Sequence, residues 1–221
     1  RQVCIRDSDK TLFIMKVHTA SFFSLLAVLG AITAVSSCSK TDYVAGMWQG
    51  NPERIADIPG TSDASSTMTI DFAPRSDRKG PGEVDLSAVV ELQQAVVGMA
   101  DASGVPYQAN ITATASISGT YVPEDGDDDD YILSLDASTL DVTVDPSGVV
   151  FTGNVLTGAE RPLLDSLTAA TADRWRVIIT AAMREQFYKY SRIEDVKVHH
   201  GDMMSMEVDH RDMTFRRVAQ N

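Results

Sequence analysis

The sequence predicts a mainly β protein, an antiparallel β-barrel of about eight strands with a helical insertion over residues 161–190 before the last strands. Three observations predict it. Short segments that alternate apolar and polar side chains recur along the chain after residue 43. Thr, Ser, Val and Ile are frequent while aromatic residues make up 7% of the chain, a composition suited to strands. The alternation gives way once, over residues 161–190, to a period of about 3.6.

The elements follow in chain order. YVAGMWQG forms the first strand, and Gly50-Asn51-Pro52 turns it. In STMTIDFAP, Met68, Ile70 and Phe72 share one face, and Thr67, Thr69 and Asp71 share the other. RSDRKGPG is a solvated turn. EVDLSAVVELQ starts as a strand with Val84, Leu86 and Ala88 on one side. YQANITATASISGTYV is a long strand whose Ile111, Ala113, Ala115 and Ile117 face one way. PEDGDDDD is a loop tip, and YILSLDAST and LDVTVDPSG are two short strands.

Arg161-Pro162 opens the helix, because proline fits a first turn. Trp175, Ile178, Ile179, Ala182, Met183, Gln186, Phe187 and Tyr190 then fall on one face, with Thr171-Ala172-Asp173 as a candidate break into two helices. Its uncharged run, Val177 to Met183, is too short to span a bilayer. RIEDVKVHH, DMMSMEVDH and DMTFRRV alternate again and close the chain as a meander. That many antiparallel strands in one domain favour closure, which removes exposed edges.

The residues before this domain read as an address. From Met15 the chain runs MKVHTASFFSLLAVLGAITAVSSC, with Lys16 as a short positive region and no charge from Ala20 to Ser37. Val35-Ser36-Ser37-Cys38 resembles a bacterial lipobox, which implies cleavage before a lipidated Cys38. Residues 1–37 are then upstream sequence plus signal peptide, residues 38–43 the lipidated N-terminus and tether, and residues 44–221 the folded domain. Cys4 leaves with the leader, so no disulfide forms within the mature chain. Acyl chains, at about 0.8 kcal/mol per buried CH₂, give a lasting membrane anchor. Ser39 after the cysteine favours the outer membrane, and Lys40-Thr41-Asp42 resembles surface-exposure signals of Gram-negative lipoproteins.

The chain carries −12. Residues 1–37 hold four basic and two acidic side chains, which leaves −14 on the remainder. Such a charge repels phosphate backbones, and nucleic acid is excluded as a partner.

Gly46-Met47-Trp48 on the first strand and TFRRV on the last resemble the lipocalin, or calycin, pattern. In that pattern an arginine from the last strand lies over the indole of a Gly-x-Trp and plugs one end of a barrel. The resemblance implies that Trp48 is this tryptophan and that Arg216 or Arg217 is its arginine, and it extends to lipocalin-like lipoproteins of Gram-negative bacteria. The chain departs from typical lipocalins in placing its helix between the sixth and seventh strands.

Candidate sites are few. Asp127 to Asp130 lack the alternation and closing acid of a calcium loop. His199, His200 and His210 stand near Asp202, Asp209 and Asp212, but adjacent histidines on a strand face opposite ways, so no metal site is expected. No catalytic constellation is present, no cofactor is implied, and the chain is expected not to be an enzyme. Ile111, Ile117, Met204 and Met206 are candidate pocket residues, since methionine adapts to varied occupants. The expected function is binding of a small apolar or amphipathic molecule inside the barrel by a lipid-anchored envelope protein. The alternative is an accessory subunit docked to an outer-membrane protein complex.

Overall fold

The chain divides into two units, Arg1–Ser37 and Cys38–Asn221. The computed structural model describes residues 44–55, 58–75, 80–100, 104–125, 129–152 and 161–219, all in the second unit. The leader, Cys38 and the 38–43 tether lie outside the described residues.

Strand-forming sequence occupies most of the described chain. In order come β1 (Gly46–Arg54), β2 (Asp63–Phe72), β3 (Gly82–Ala100), β4 (Pro106–Pro123), β5 (Tyr131–Leu135), β6 (Asp141–Thr143) and β7 (Val149–Thr152). Helix α1 (Arg161–Tyr188) follows, then β8 (Arg192–His199), β9 (Met203–Val208) and β10 (Arg211–Arg217). The strands pair antiparallel in the order β3-β2-β1-β10-β9-β8-β5-β4, and β3 returns to pair with β4. Eight strands therefore form a closed ring, a barrel-like arrangement.

The alternation in the sequence places the core inside that ring. Met68, Ile70 and Phe72 of β2, Val84, Leu86 and Ala88 of β3, and Met204, Met206 and Val208 of β9 are all buried. The intervening residues Asp85, Ser87 and Val89 are exposed. The long β3–β4 hairpin shifts register between Leu92 and Ala95, where Gln94 takes φ 50° and its N–H donates to Asn110 Oδ1 at 3.1 Å. A bulge there adds the local twist that curls a long hairpin into a ring.

The ring is least continuous beside β4. One edge of β4 carries β3, and the other carries β5, β6 and β7 in turn. Of these three only β5 reaches β8, at Tyr131↔Ile193 and Ile132↔Arg192. α1 packs beside β4, β6 and β7. It reaches β3 through Arg174, which donates to the Val97 carbonyl at 3.1 Å, and just beyond its end the Tyr190 hydroxyl meets Met213 Sδ of β10 at 3.6 Å. Trp175, Ile179, Met183 and Phe187 are at most 1% exposed. Each such burial contributes about 1.5–3 kcal/mol, which holds the helix against the ring.

Three expectations change. β1 does not turn at Gly50 but continues to Arg54, with its register to β2 shifting between Gln49 and Pro52. Pro52 has no N–H for the ladder, and an irregularity accommodates it. The helix follows a seventh strand instead of a sixth, because Val149–Thr152 is too short to stand out by alternation yet pairs with Gln108–Ile111. Thr171-Ala172-Asp173 does not break α1. The Thr168 and Thr171 hydroxyls donate to the Leu164 and Leu167 carbonyls at 2.8 and 2.7 Å, so both threonines are satisfied within helical geometry. No helix among the described residues is long and apolar enough to cross a membrane.

Candidate functional site

β1 and β10 meet at a buried tryptophan and an arginine. Trp48 is fully buried and its Nε1 donates to the Val44 carbonyl at 2.7 Å. Arg217, paired with Trp48 across β1 and β10, lies over the indole with its guanidinium carbon 4.2 Å from the ring centroid. Its Nε donates to the Gly201 carbonyl at 2.7 Å and its Nη1 to the Ala45 carbonyl at 3.0 Å. Arg216 pairs with Gln49 and points to solvent. Gly46 completes the set: its φ is +116°, and an added Cβ would sit 2.5 Å from Arg217 Nη1. Only glycine allows the strand to start so close under the guanidinium. The arrangement is held by stacking and hydrogen bonds together.

The four candidate pocket residues stand inside the ring but line no space. Met204 is 0%, Ile111 1%, Met206 2% and Ile117 5% exposed. A side chain bordering a water-sized void would keep accessible surface, and these keep almost none. They pack within one core with Trp48, Phe215 and the buried face of α1. Met203, on the other face of β9, is exposed.

A sizeable groove lies on the outer surface. With a volume of about 440 Å³, it runs between α1 and β6, lined by Arg176, Val177, Thr180, Ala181 and Arg184 of the helix and Leu140, Asp141 and Val142 beside it. Among the described strands β6 pairs only with β4. The helix residues recur at i, i+1, i+4, i+5 and i+8, one stripe flanking the core-facing stripe. Val177 is 68% exposed, so the groove offers an apolar wall to solvent. Arg176 reaches Asp173 at 3.7 Å in an exposed pair of small value. Arg184 has no ion-pair partner among the described residues. The groove can hold an apolar body against Val177, Ala181, Leu140 and Val142, and an anionic group on the arginines.

Other polar clusters are organised differently. Glu53, Gln186, Lys189, Tyr190, Arg211 and Met213 border a crevice of about 20 Å³, room for roughly one water. Burial pushes the Glu53 carboxyl above its ordinary value against the pull of Arg211 and Lys189. Burial, reinforced by Glu53, also pushes the Tyr190 phenol up. At the β5–β8 seam Arg192 donates through Nε and Nη2 to Glu124 Oε2 at 3.1 and 2.9 Å and reaches Glu194 at 3.1 Å. The Glu124 hydrogen bond and charge raise the Arg192 pKa first, followed by the charge of Glu194.

The three histidines separate. His199 approaches Ser205 Oγ at 3.1 Å, His200 sits in a turn at φ 53°, and His210 lies 3.4 Å from Glu207. The sequence pointed to aspartates as their neighbours, but the side chain beside His210 is a glutamate brought there by the hairpin. Arg184 and Val177 were also not singled out, although their off-core stripe on α1 was the available signal. Of Asp127 to Asp130, the first two lie outside the described residues. In comparisons with known proteins, the chain matches no family model, no curated protein and no solved structure.

Proposed function

We propose that this is a lipid-anchored envelope protein with a lipocalin-like domain that binds a small amphipathic molecule without catalysing its conversion. The Arg217-over-Trp48 stack and the closed ring support the lipocalin-like reading, and the lipobox-like sequence supports the anchor. The observation that carries the binding role is the α1–β6 groove, whose volume falls in the range of small-molecule sites, about 300–1,000 Å³. The site proposed here is this outer groove and not the ring interior, which is packed with side chains.

A saturable site for a fluorescent fatty-acid probe is expected on the purified chain, with weaker binding of its uncharged ester. Arg184→Glu should weaken the acid by up to about fivefold, since exposed ion pairs contribute about 0.2–1 kcal/mol. Val177→Lys should weaken both probes, and Met203→Lys, on a distant strand face, neither. A probe that binds without saturation, or equally well to all three variants, removes this reading. The exposure of Leu163 (63%), Val177 (68%) and Tyr188 (76%) along α1 favours the second reading, a docking subunit. A photoreactive residue at position 177 that gives one discrete protein adduct in intact envelopes would establish it.

The anchor is tested separately. Cys38→Ala is expected to abolish incorporation of labelled fatty acid and to release the protein from membranes or leave it unprocessed. Equal label on both proteins would end the anchor proposal.

A further inference from the structure

The closing meander places three side chains together that the sequence keeps apart. β8 and β9 pair in the register Glu194↔Glu207, and β9 and β10 in the register Glu207↔Asp212. Residues directly opposite on neighbouring strands share a face with Cβ atoms about 4.5–5.5 Å apart, and like charges there are destabilising. Three carboxylates thus stand abreast on the outer face, in a chain that already carries excess negative charge.

His210 completes the cluster. Asp209 and His210 form the two-residue turn between β9 and β10, both with positive φ (51° and 62°). That turn folds the imidazole back over the strand, with Nδ1 3.4 Å from Glu207 Oε1. One ligand atom from each of Glu194, Glu207 and His210 lies within 4.8 Å of the others. Zinc bonds of about 2.0–2.1 Å in tetrahedral geometry set neighbouring donors roughly 3.3 Å apart. The His210–Glu207 edge already has about that length, and the edges to Glu194, at most 4.8 Å, close with a small movement of its carboxylate.

Moving there, Glu194 gives up its 3.1 Å ion pair with Arg192. Arg192 has other partners to compensate, with two hydrogen bonds to Glu124 and Asp130 3.9 Å away. The side chains of Glu194 and Glu207 are 30% and 31% exposed, partly sheltered yet reachable. A cleft of about 290 Å³ is lined by Glu194 and His210 together with Ser191, Asp209, Lys189 and Arg192, with room for water at the remaining coordination positions.

From this geometry we infer that Glu194, Glu207 and His210 form a binding site for a divalent transition metal of the zinc class. One imidazole nitrogen among the donors selects such ions over calcium or magnesium, which prefer all-oxygen shells. Binding relieves the repulsion between facing glutamates and ties β8 to the β9–β10 turn. The site is independent of the α1–β6 groove.

Zinc chloride competed against a chromophoric chelator tests the inference on the purified chain, with Cys4 and Cys38 alkylated to remove thiol ligands. One equivalent is expected to bind. His210→Ala and Glu207→Gln should each weaken it at least tenfold, while His199→Ala leaves it unchanged, and millimolar calcium or magnesium should not displace zinc. All three substitutions fall on surface side chains, and circular dichroism reports whether each variant remains folded. No saturable zinc on the native chain, an unchanged affinity in His210→Ala, or an equal loss in His199→Ala would overturn the assignment.

Discussion

Trp48→Ala is expected to lower the free energy of unfolding by about 3–5 kcal/mol, as deletion of a large buried aromatic does. Trp48 has no exposed surface, and it pairs with β2 through Ile70 and with β10 through Arg217. Its loss therefore leaves a void at the point where the first and last strands of the domain join. It also strips Arg217 of the ring beneath its guanidinium, although the bonds to Gly201 and Ala45 remain. With a urea slope of about 1–3 kcal/mol per molar for a domain of this size, the midpoint should fall by roughly 2 M. Arg217→Met keeps the stem and removes the charge, and should cost less, since an exposed cation–π contact contributes about 0.5–1 kcal/mol. An unchanged midpoint for Trp48→Ala would show that the ring closes without this stack.

How much of this could be read in the sequence depended on whether the signal was local. β2 and β4 were legible because Met68-Ile70-Phe72 and Ile111 to Ile117 alternate without interruption, and these side chains are the buried ones. The core face of α1 was legible from Trp175 to Phe187 for the same reason, at helical spacing. β7 was not, because four residues at Val149–Thr152 carry too few alternations, and its pairing with β4 is a tertiary event. The Gly-x-Trp pointed to Trp48, but the choice between Arg216 and Arg217 required the register, which turns Arg217 onto the indole and Arg216 to water.

The sites followed the same division. Met204 and Met206 were legible as inward-facing, since period two fixes the face. Whether that face lines a cavity or a packed core depends on what arrives from elsewhere, and here α1 brings in Trp175, Met183 and Phe187. Glu194 and Glu207 lie thirteen positions apart, and nothing in their spacing shows that β8 and β9 set them opposite each other. The groove likewise depends on where α1 settles beside β6, which no local pattern encodes.

Gly119→Val is expected to open the ring at its narrowest seam. Gly119 of β4 pairs with Leu135 of β5. A Cβ there would overlap the Ser134 carbonyl oxygen and sit 2.9 Å from the Leu135 Cα, both backbone atoms that cannot rotate away. β5 must therefore shift, and β5 is the strand that joins β4 to β8 in the ring, pairing with β8 at two residue pairs. The neighbouring contacts move with it: Asp136 N–H donates to the Ser118 carbonyl at 2.9 Å, and Tyr131 packs 6.0 Å from Tyr121 between ring centroids. Overpacking against side chains costs about 1–3 kcal/mol, and a clash with backbone at a closure point should reach or exceed the top of that range. Thr120→Val is the control, because the adjacent residue faces solvent and a surface change there should stay within about 0.5 kcal/mol. Hydrogen exchange should locate the damage, with amides of Tyr131–Leu135 and Arg192–His199 losing protection while the β2–β3 pairing keeps it. Unfolding at the native midpoint, with β5 still protected, would mean that β4 and β5 have slack at Gly119 and that the ring is held mainly by the α1 face.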